Sequence, residues 1–265
     1  MQAEAFFNEL WTDYVSITPQ AKKIRDLFTA TDGEVINDHV AFRTFANTPL
    51  RLDLLEPLIL AMGYERQDSY EFKAKKLRAH SYIHPNPLVP KIFCSELLVN
   101  QLSDSAQKII GKYTAEITQQ PQDQAVFWSG RHWSMPSWED YNTIMTESEY
   151  GAWLLAIGVR VNHFTVSINH LTTADAIHTV LGRVKDAGFS INTVGGEVKG
   201  TPESLLEQAS TLADRQVFEF ARGDQHEIPT CFYEFAKRHA DAQGFVYQGF
   251  IEANADKIFE STNAS

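Results

Sequence analysis

Two histidines, a glutamate and an arginine stand where strands of this chain would otherwise carry aliphatic residues. In "NDHVAFRTF", residues 37–45, apolar and polar residues alternate as in a half-buried strand, and one face holds His39, Ala41 and Arg43. In "VRVNHFTVSIN", residues 159–169, His163 shares a face with Thr165 and Ser167, while Val161 and the residues between them suit a core. In "TCFYEFA", Glu234 shares a face with Phe232 and Ala236. Three separate strands thus each turn one metal-competent group toward an otherwise apolar side. Two imidazoles and one carboxylate, with further coordination positions open, are the ligand set of non-haem Fe(II) oxygenases. The same groups also hold Zn for hydrolysis, so the triad alone does not choose the reaction. Glu96 in "FCSEL" and Glu219 in "VFEF" compete for the carboxylate position, since both also lie in strands.

Arg43 follows His39 by four residues, which in a strand is roughly 13 Å between Cα atoms. A guanidinium takes a carboxylate in a bidentate fork. A metal at His39 and a cation at Arg43 would therefore hold the two ends of a small dicarboxylate; a structural salt bridge is the competing role for Arg43.

These residues need a framework, and the pattern around them predicts one. Helices are expected over residues 2–16 and 18–29, the second with Thr18 as N-cap and Pro19 in its first turn. A strand over 38–45 leads to a helix over 51–62 that stops at Gly63. "YERQDSYEFKAKKLRAHSYIH" suggests two strands, "PKIFCSELLV" a third, and "SDSAQKIIGKYTAEI" a helix capped by Ser103. The second half restarts with the strand at 159–169 and a helix in "LTTADAIHTVLGRVKDAGF" capped by Thr172 or Thr173. "NTVGGEVKGTPESLLEQ" reads as a mobile loop entering a helix at Thr201-Pro202; its glycines lack the phosphate-loop spacing. "RQVFEFA" and "TCFYEFA" read as strands separated by a turn-rich "RGDQHEIP", and the tail "YQGFIEANADKIFEST" as a helix. The unit strand-helix-strands thus occurs twice, over about 35–100 and 158–237, with one histidine in each opening strand. The whole of 1–265 reads as a single domain.

The totals narrow the function. With 34 acidic against 23 basic side chains and a formal charge of -11, the chain is a poor match for a nucleic-acid backbone. The basic run Lys73 to Arg78, "KAKKLR", is too short to reverse that. The N-terminus lacks a basic, then apolar, leader, and no stretch of about 18 apolar residues is present, so neither export nor a membrane span is expected. Two cysteines, Cys94 and Cys231, fall in apolar runs and read as reduced, buried thiols of a cytoplasmic protein.

Five ordered blocks, "NDHVAFRTF", "IFCSEL", "VNHFTVSINHL", "GGEVKGTPESLLEQASTLAD" and "IPTCFYEFAKR", together resemble the iron-dependent 2-oxoadipate dioxygenase/decarboxylases, also called hydroxyglutarate synthases. The resemblance runs from about residue 35 to residue 262. It implies an α+β fold related to the vicinal oxygen chelate superfamily, in which βαβββ modules form a cup-shaped mixed sheet around a metal, with flanking helices. It places the Fe(II) ligands on His39, His163 and Glu234 and the substrate-carboxylate arginine on Arg43. It implies a reaction in which a 2-oxo acid and O2 meet at the metal, CO2 is released and the shortened acid is hydroxylated, so that 2-oxoadipate yields 2-hydroxyglutarate. The chain is shorter than the family members associated with lysine degradation, which leaves Tyr70, Tyr82, Trp128, Trp133 and Tyr233 as candidates to line a different pocket. An oxygen-independent hydrolase, lyase or isomerase on the same scaffold, and a non-enzymatic binder of small acids, are the alternatives.

Overall fold

The computed structural model describes residues 1–262. Two helices open the chain, α1 (Ala3–Ile17) and α2 (Pro19–Asp32), followed by β1 (Asn37–Phe45), α3 (Leu52–Leu60), β2 (Glu65–Phe72), β3 (Leu77–Ile83) and β4 (Lys91–Leu97). Three helices, α4 (Asp104–Thr114), α5 (Trp138–Met145) and α6 (Glu149–Ile157), lead to the second half. There β5 (Val161–Ser167), α7 (Ile177–Asp186), β6 (Leu206–Ser210), β7 (Arg215–Glu219), β8 (Gln225–Pro229), β9 (Phe232–Arg238) and α8 (Glu252–Ile258) complete the fold.

Seven strands form one mixed sheet in the order β2-β3-β4-β1-β5-β9-β6, curled into a half-barrel. Within each half the first strand pairs parallel to the last, β1 with β4 and β5 with β9. The halves join where β1 runs antiparallel to β5. The first half is a complete βαβββ unit. The second is not: β7 and β8 pair only with each other, as a hairpin apart from the sheet, and β6 is the outermost strand of that half. The segment read as turn-rich, Gln225–Pro229, is the second strand of that hairpin.

Alternation along the strands sorts the two faces. Phe42, Phe164, Tyr233 and Phe235 point to the helical side, where Phe6 packs on Phe42, Trp11 on Phe164 and Tyr233, and Phe28 on Phe235. Phe6, Leu10 and Tyr14, at helical spacing on α1, are fully buried there. The residues one step along, His39, His163 and Glu234, are left to face the other way.

Two local expectations fail for identifiable reasons. Thr172 and Thr173 do not cap α7, which starts after Ala176. Their backbone N–H groups and hydroxyls donate instead to the carboxylate of Asp32 at the end of α2, which Arg183 of α7 also reaches. Thr201-Pro202 does not open a helix either. Thr201 and Ser204 close a capping box around a single 3-10 turn, Leu205 takes a left-handed conformation (φ 66°), and the chain then enters β6. Ser103 does cap α4, its hydroxyl accepting from the N–H of Ala106. Thr18 occupies the N-cap position of α2 without making a capping bond, and Pro19 opens that helix.

Candidate metal centre

His39, His163 and Glu234 come from the three adjacent central strands β1, β5 and β9. The register pairs Thr165 with His39 on one side and with Glu234 on the other, and pairs Ala41 with His163. All three side chains therefore project from one face within two residues of the same row. Their ligand atoms lie within 4.8 Å of one another, and all three residues are buried. The Glu234 Oε2 atom is 3.1 Å from His163 Nε2 and 3.8 Å from His39 Nε2.

The residues around the triad fix which atoms face inward. Asp38 Oδ1 sits 2.8 Å from His39 Nδ1, and Asn162 Oδ1 3.2 Å from His163 Nδ1. An acceptor at each Nδ1 favours the proton there and leaves the Nε2 lone pair directed at the cluster. Gln208 of β6 donates to Glu234 Oε1 at 2.7 Å, while Oε2 is buried and takes no hydrogen bond. Two imidazole nitrogens, that of His39 also 3.1 Å from the Thr165 hydroxyl, thus converge with a carboxylate oxygen that has no hydrogen bond among the described residues, an arrangement that a divalent cation satisfies. Burial opposes charge on Glu234, but the two imidazoles and Gln208 outweigh it and hold the carboxyl below its ordinary value. Burial also pulls the His163 imidazole down, toward the neutral form a metal needs, against the pull of Glu234.

Asp38 is held in turn by Arg238, with Nε to Oδ2 at 2.7 Å and Nη2 to Oδ1 at 2.9 Å, both residues buried. Burial would raise the Asp38 carboxyl, and Arg238, together with His39, instead holds it well below the usual carboxylate range. Asp38→Asn is expected to cost about 3 kcal/mol of stability, because it leaves Arg238 buried without its counter-charge. It is also expected to weaken metal binding by roughly 10- to 100-fold through His39. Thermal unfolding and a metal titration check the two effects separately.

Arg43 is also buried, on the same face of β1 two pleats beyond Ala41's neighbour His39. Its guanidinium lies over the rings of Tyr150 (5.0 Å) and Trp153 (4.9 Å) and donates to Thr262 Oγ1 at 3.0 Å. Among the described residues no carboxylate pairs with it, and its Nε atom has no partner. Burial lowers its pKa to about 10, so the group remains a cation at neutral pH. The structural salt bridge weighed for Arg43 is absent among the described residues.

The rival carboxylates stand elsewhere. Glu96 pairs in register with Thr44, on the opposite face from Arg43, and is spent on Arg78 and on the N–H of Leu52 at the start of α3. Glu219 is exposed on the separate hairpin. Three of the four cations of the "KAKKLR" run are likewise paired with acids elsewhere in the chain, Lys75 with Glu260, Lys76 with Glu147 and Arg78 with Asp53 and Glu96.

Of the aromatic residues named as pocket candidates, only Tyr70 comes near, its hydroxyl accepting from the N–H of Phe250. Tyr233 lies on the helical face, Tyr82 bonds Glu56, Trp133 bonds the carbonyl of Leu155 and Trp128 packs on Phe6. The cavity over the triad is instead closed by Phe93, Phe250, Ala255, Ile258 and Phe259, and its free volume is about 20 Å³. A separate open cleft of about 400 Å³ is lined by Arg43, Lys75, Lys76, Tyr150, Phe259 and Glu260 among others.

A curled mixed sheet with two imidazoles and one carboxylate converging at its centre is the framework of a mononuclear metalloenzyme. The family model for 2-oxoadipate dioxygenase/decarboxylase matches residues 10–127 and 124–244. The chain belongs to the 2-oxoadipate dioxygenase/decarboxylase family. It is 36% identical to the chloroplastic/amyloplastic 2-oxoadipate dioxygenase/decarboxylase of Oryza sativa subsp. japonica, over 98% of this chain and 80% of that protein. The crystal structure of hydroxyglutarate synthase from Oryza sativa, in complex with 2-oxoadipate, superposes with a TM-score of 0.92 at 35% identity, covering 97% of this chain and 91% of that one. A Shewanella frigidimarina protein provisionally described as a hydrolase superposes with a TM-score of 0.87 at 44% identity, covering 95% and 98% of the two chains.

Proposed function

We propose that this protein is an Fe(II)-dependent enzyme that oxidatively decarboxylates and hydroxylates a 2-oxo acid, with 2-oxoadipate giving 2-hydroxyglutarate and CO2. The observation that carries this reading is the convergence of His39, His163 and Glu234, with a cationic Arg43 on the strand that bears His39 and no carboxylate paired to it among the described residues. Family membership and the close match to a structure holding 2-oxoadipate support the choice of substrate.

In this reading His39, His163 and Glu234 are the metal ligands. A ferrous ion bound there would supply open coordination positions for the 2-oxo acid and O2 and would relay to O2 the electrons that the acid gives up. The protein's share is geometry. Asp38 and Asn162 hold the two imidazole Nδ1 protons and so aim both Nε2 atoms. Gln208 fixes Glu234 by its other oxygen. Arg43 takes the distal carboxylate of the substrate in its fork, and Phe93 and Phe250 keep bulk water from the reacting end. Overall, one O2 is consumed and one CO2 released for each 2-oxoadipate converted to 2-hydroxyglutarate.

The chain acts in this reading as one catalytic unit, supported by the continuity of the sheet from β2 to β6. No helix among the described residues is long and apolar enough to cross a membrane. The free, buried thiols of Cys94 and Cys231 support a reducing compartment, the cytoplasm.

The test is O2 uptake by anaerobically purified, Fe(II)-loaded protein with a panel of 2-oxo acids. Uptake matched one to one by CO2 release, fastest with 2-oxoadipate, is the expected result. A metal-loaded protein that consumes no O2 with any acid would replace this reading by an oxygen-independent reaction on the same scaffold.

A further inference from the structure

The cavity over the triad, at about 20 Å³, has room for a water molecule and not for a six-carbon acid. Something that lines it must move before a 2-oxo acid binds. Most of the wall belongs to the sheet or is held by it. Phe259 is different, because it borders both the triad cavity and the open cleft that contains Arg43. Its ring lies 5.8 Å from the Arg43 guanidinium, packs edge-on to Phe72 at 5.3 Å and is only half-buried.

The backbone around Phe259 is a short 3-10 turn, Phe259–Thr262, following α8. It is anchored on the sheet side by the buried Ser261, whose carbonyl accepts from the Ala213 N–H and whose hydroxyl bonds Asn192 and Ser210, and on the cleft side by the ion pair of Glu260 with Lys75 and the bond from Arg43 to the Thr262 hydroxyl. The backbone is thus fixed while the half-buried Phe259 ring is free to turn, and an incoming dianion meets the cations Arg43 and Lys75 on the cleft side of that ring. The Cα atoms of His39 and Arg43 lie roughly 13 Å apart along the strand, and a ligand held at both ends spans the part of that distance that the two side chains leave open. Between those two ends it meets one ring common to both spaces.

We propose that Phe259 gauges substrate length: its ring fills the space taken by the methylene chain of a bound 2-oxo dicarboxylate, and it turns toward the cleft on binding to form the apolar wall against that chain. The inference rests on the proposed role of Arg43 as the anchor of the distal carboxylate. It assigns to an apolar residue, outside the metal ligands and the arginine, the discrimination between acids that differ by one methylene.

The test uses Phe259→Ala, Phe259→Leu and Phe259→Trp in the full chain. Binding of glutarate, adipate and pimelate to the metal-free protein is measured by calorimetry, alongside turnover of the corresponding 2-oxo acids by the Fe(II)-loaded protein. Relative to the wild type, the Ala and Leu variants are expected to shift the pimelate-to-adipate affinity ratio upward by about tenfold, and the Trp variant to shift preference toward glutarate, the scale that one methylene commands in an apolar site. A wild-type protein without length preference, or variants that weaken all three acids equally, overturns the proposal. Because the binding arm needs neither iron nor O2, a shifted length preference without O2 uptake would uphold the gauge while removing the oxygenase reading. Phe259→Leu keeps the test decisive if the other two variants fold poorly.

Discussion

His163→Ala is expected to give a folded protein that no longer retains metal and has lost turnover. The remaining His39 and Glu234 would offer two ligands from strands on either side of β5, too few to hold a divalent ion against water. The loss in affinity should exceed the roughly 100-fold that removal of an outer hydrogen-bond partner causes. His163 is the better test than His39, because its ring is supported by the Asn162 amide and a stack on Phe232 at 4.6 Å. His39 is tied through Asp38 into the buried pair with Arg238, so its removal also disturbs a charged network. Metal analysis after anaerobic loading with Fe(II), with circular dichroism to confirm the fold, decides the matter. A His163→Ala protein that keeps one ion per chain and turns over normally is not using His163 as a ligand.

Arg43→Lys is expected to raise the Michaelis constant for 2-oxoadipate by about 10- to 100-fold, the cost of one strong charge-assisted hydrogen bond or two weaker ones. The constant for a 2-oxo monocarboxylate of the same length should change little, since it leaves the anchor unused. Equal effects on both acids would deny Arg43 its role. The variant should also become pH-sensitive in a definite direction. Burial lowers even the arginine to about 10, and a lysine starts from a lower value, so the same surroundings bring its titration closer to neutrality. The neutral amine forms as pH rises, so the Arg43→Lys defect should deepen between about pH 7 and pH 9. The wild-type anchor stays charged over that range.

Much of this arrangement can be read from the sequence because the central strands alternate cleanly. In β1, β5 and β9 a period of two separates an aromatic or aliphatic face from one bearing His39, His163 and Glu234, and that separation survives in the folded chain. What alternation does not give is which strand lies beside which. Glu96 and Glu219 are therefore equal to Glu234 until the pairing order places β9 beside β5 and sends β7 out of the sheet. Polar strands are the other gap. β6, "LEQAS", carries too little apolar signal to be told from the end of a helix, although it contributes Gln208 to the site. The orienting partners Asp38 and Asn162 immediately precede the two histidines, and a polar-acceptor-then-His pair in two strands is the signal that would have found them. No local pattern indicates that Phe250 and Phe259, far along the chain, close over the triad; that contact exists only in three dimensions.

The Asp38–Arg238 pair joins β1 to β9 across the strand between them, and so braces the two outer members of the ligand row by side chains alone. The row is thereby held by the protein's own charges. A metal ion would meet a finished site there, and its loading or removal would call for no refolding. Two imidazoles and a carboxylate accept most first-row divalent ions, with affinities that follow the elements rather than the fold. The ion such a site would carry is accordingly set in part by what its surroundings supply.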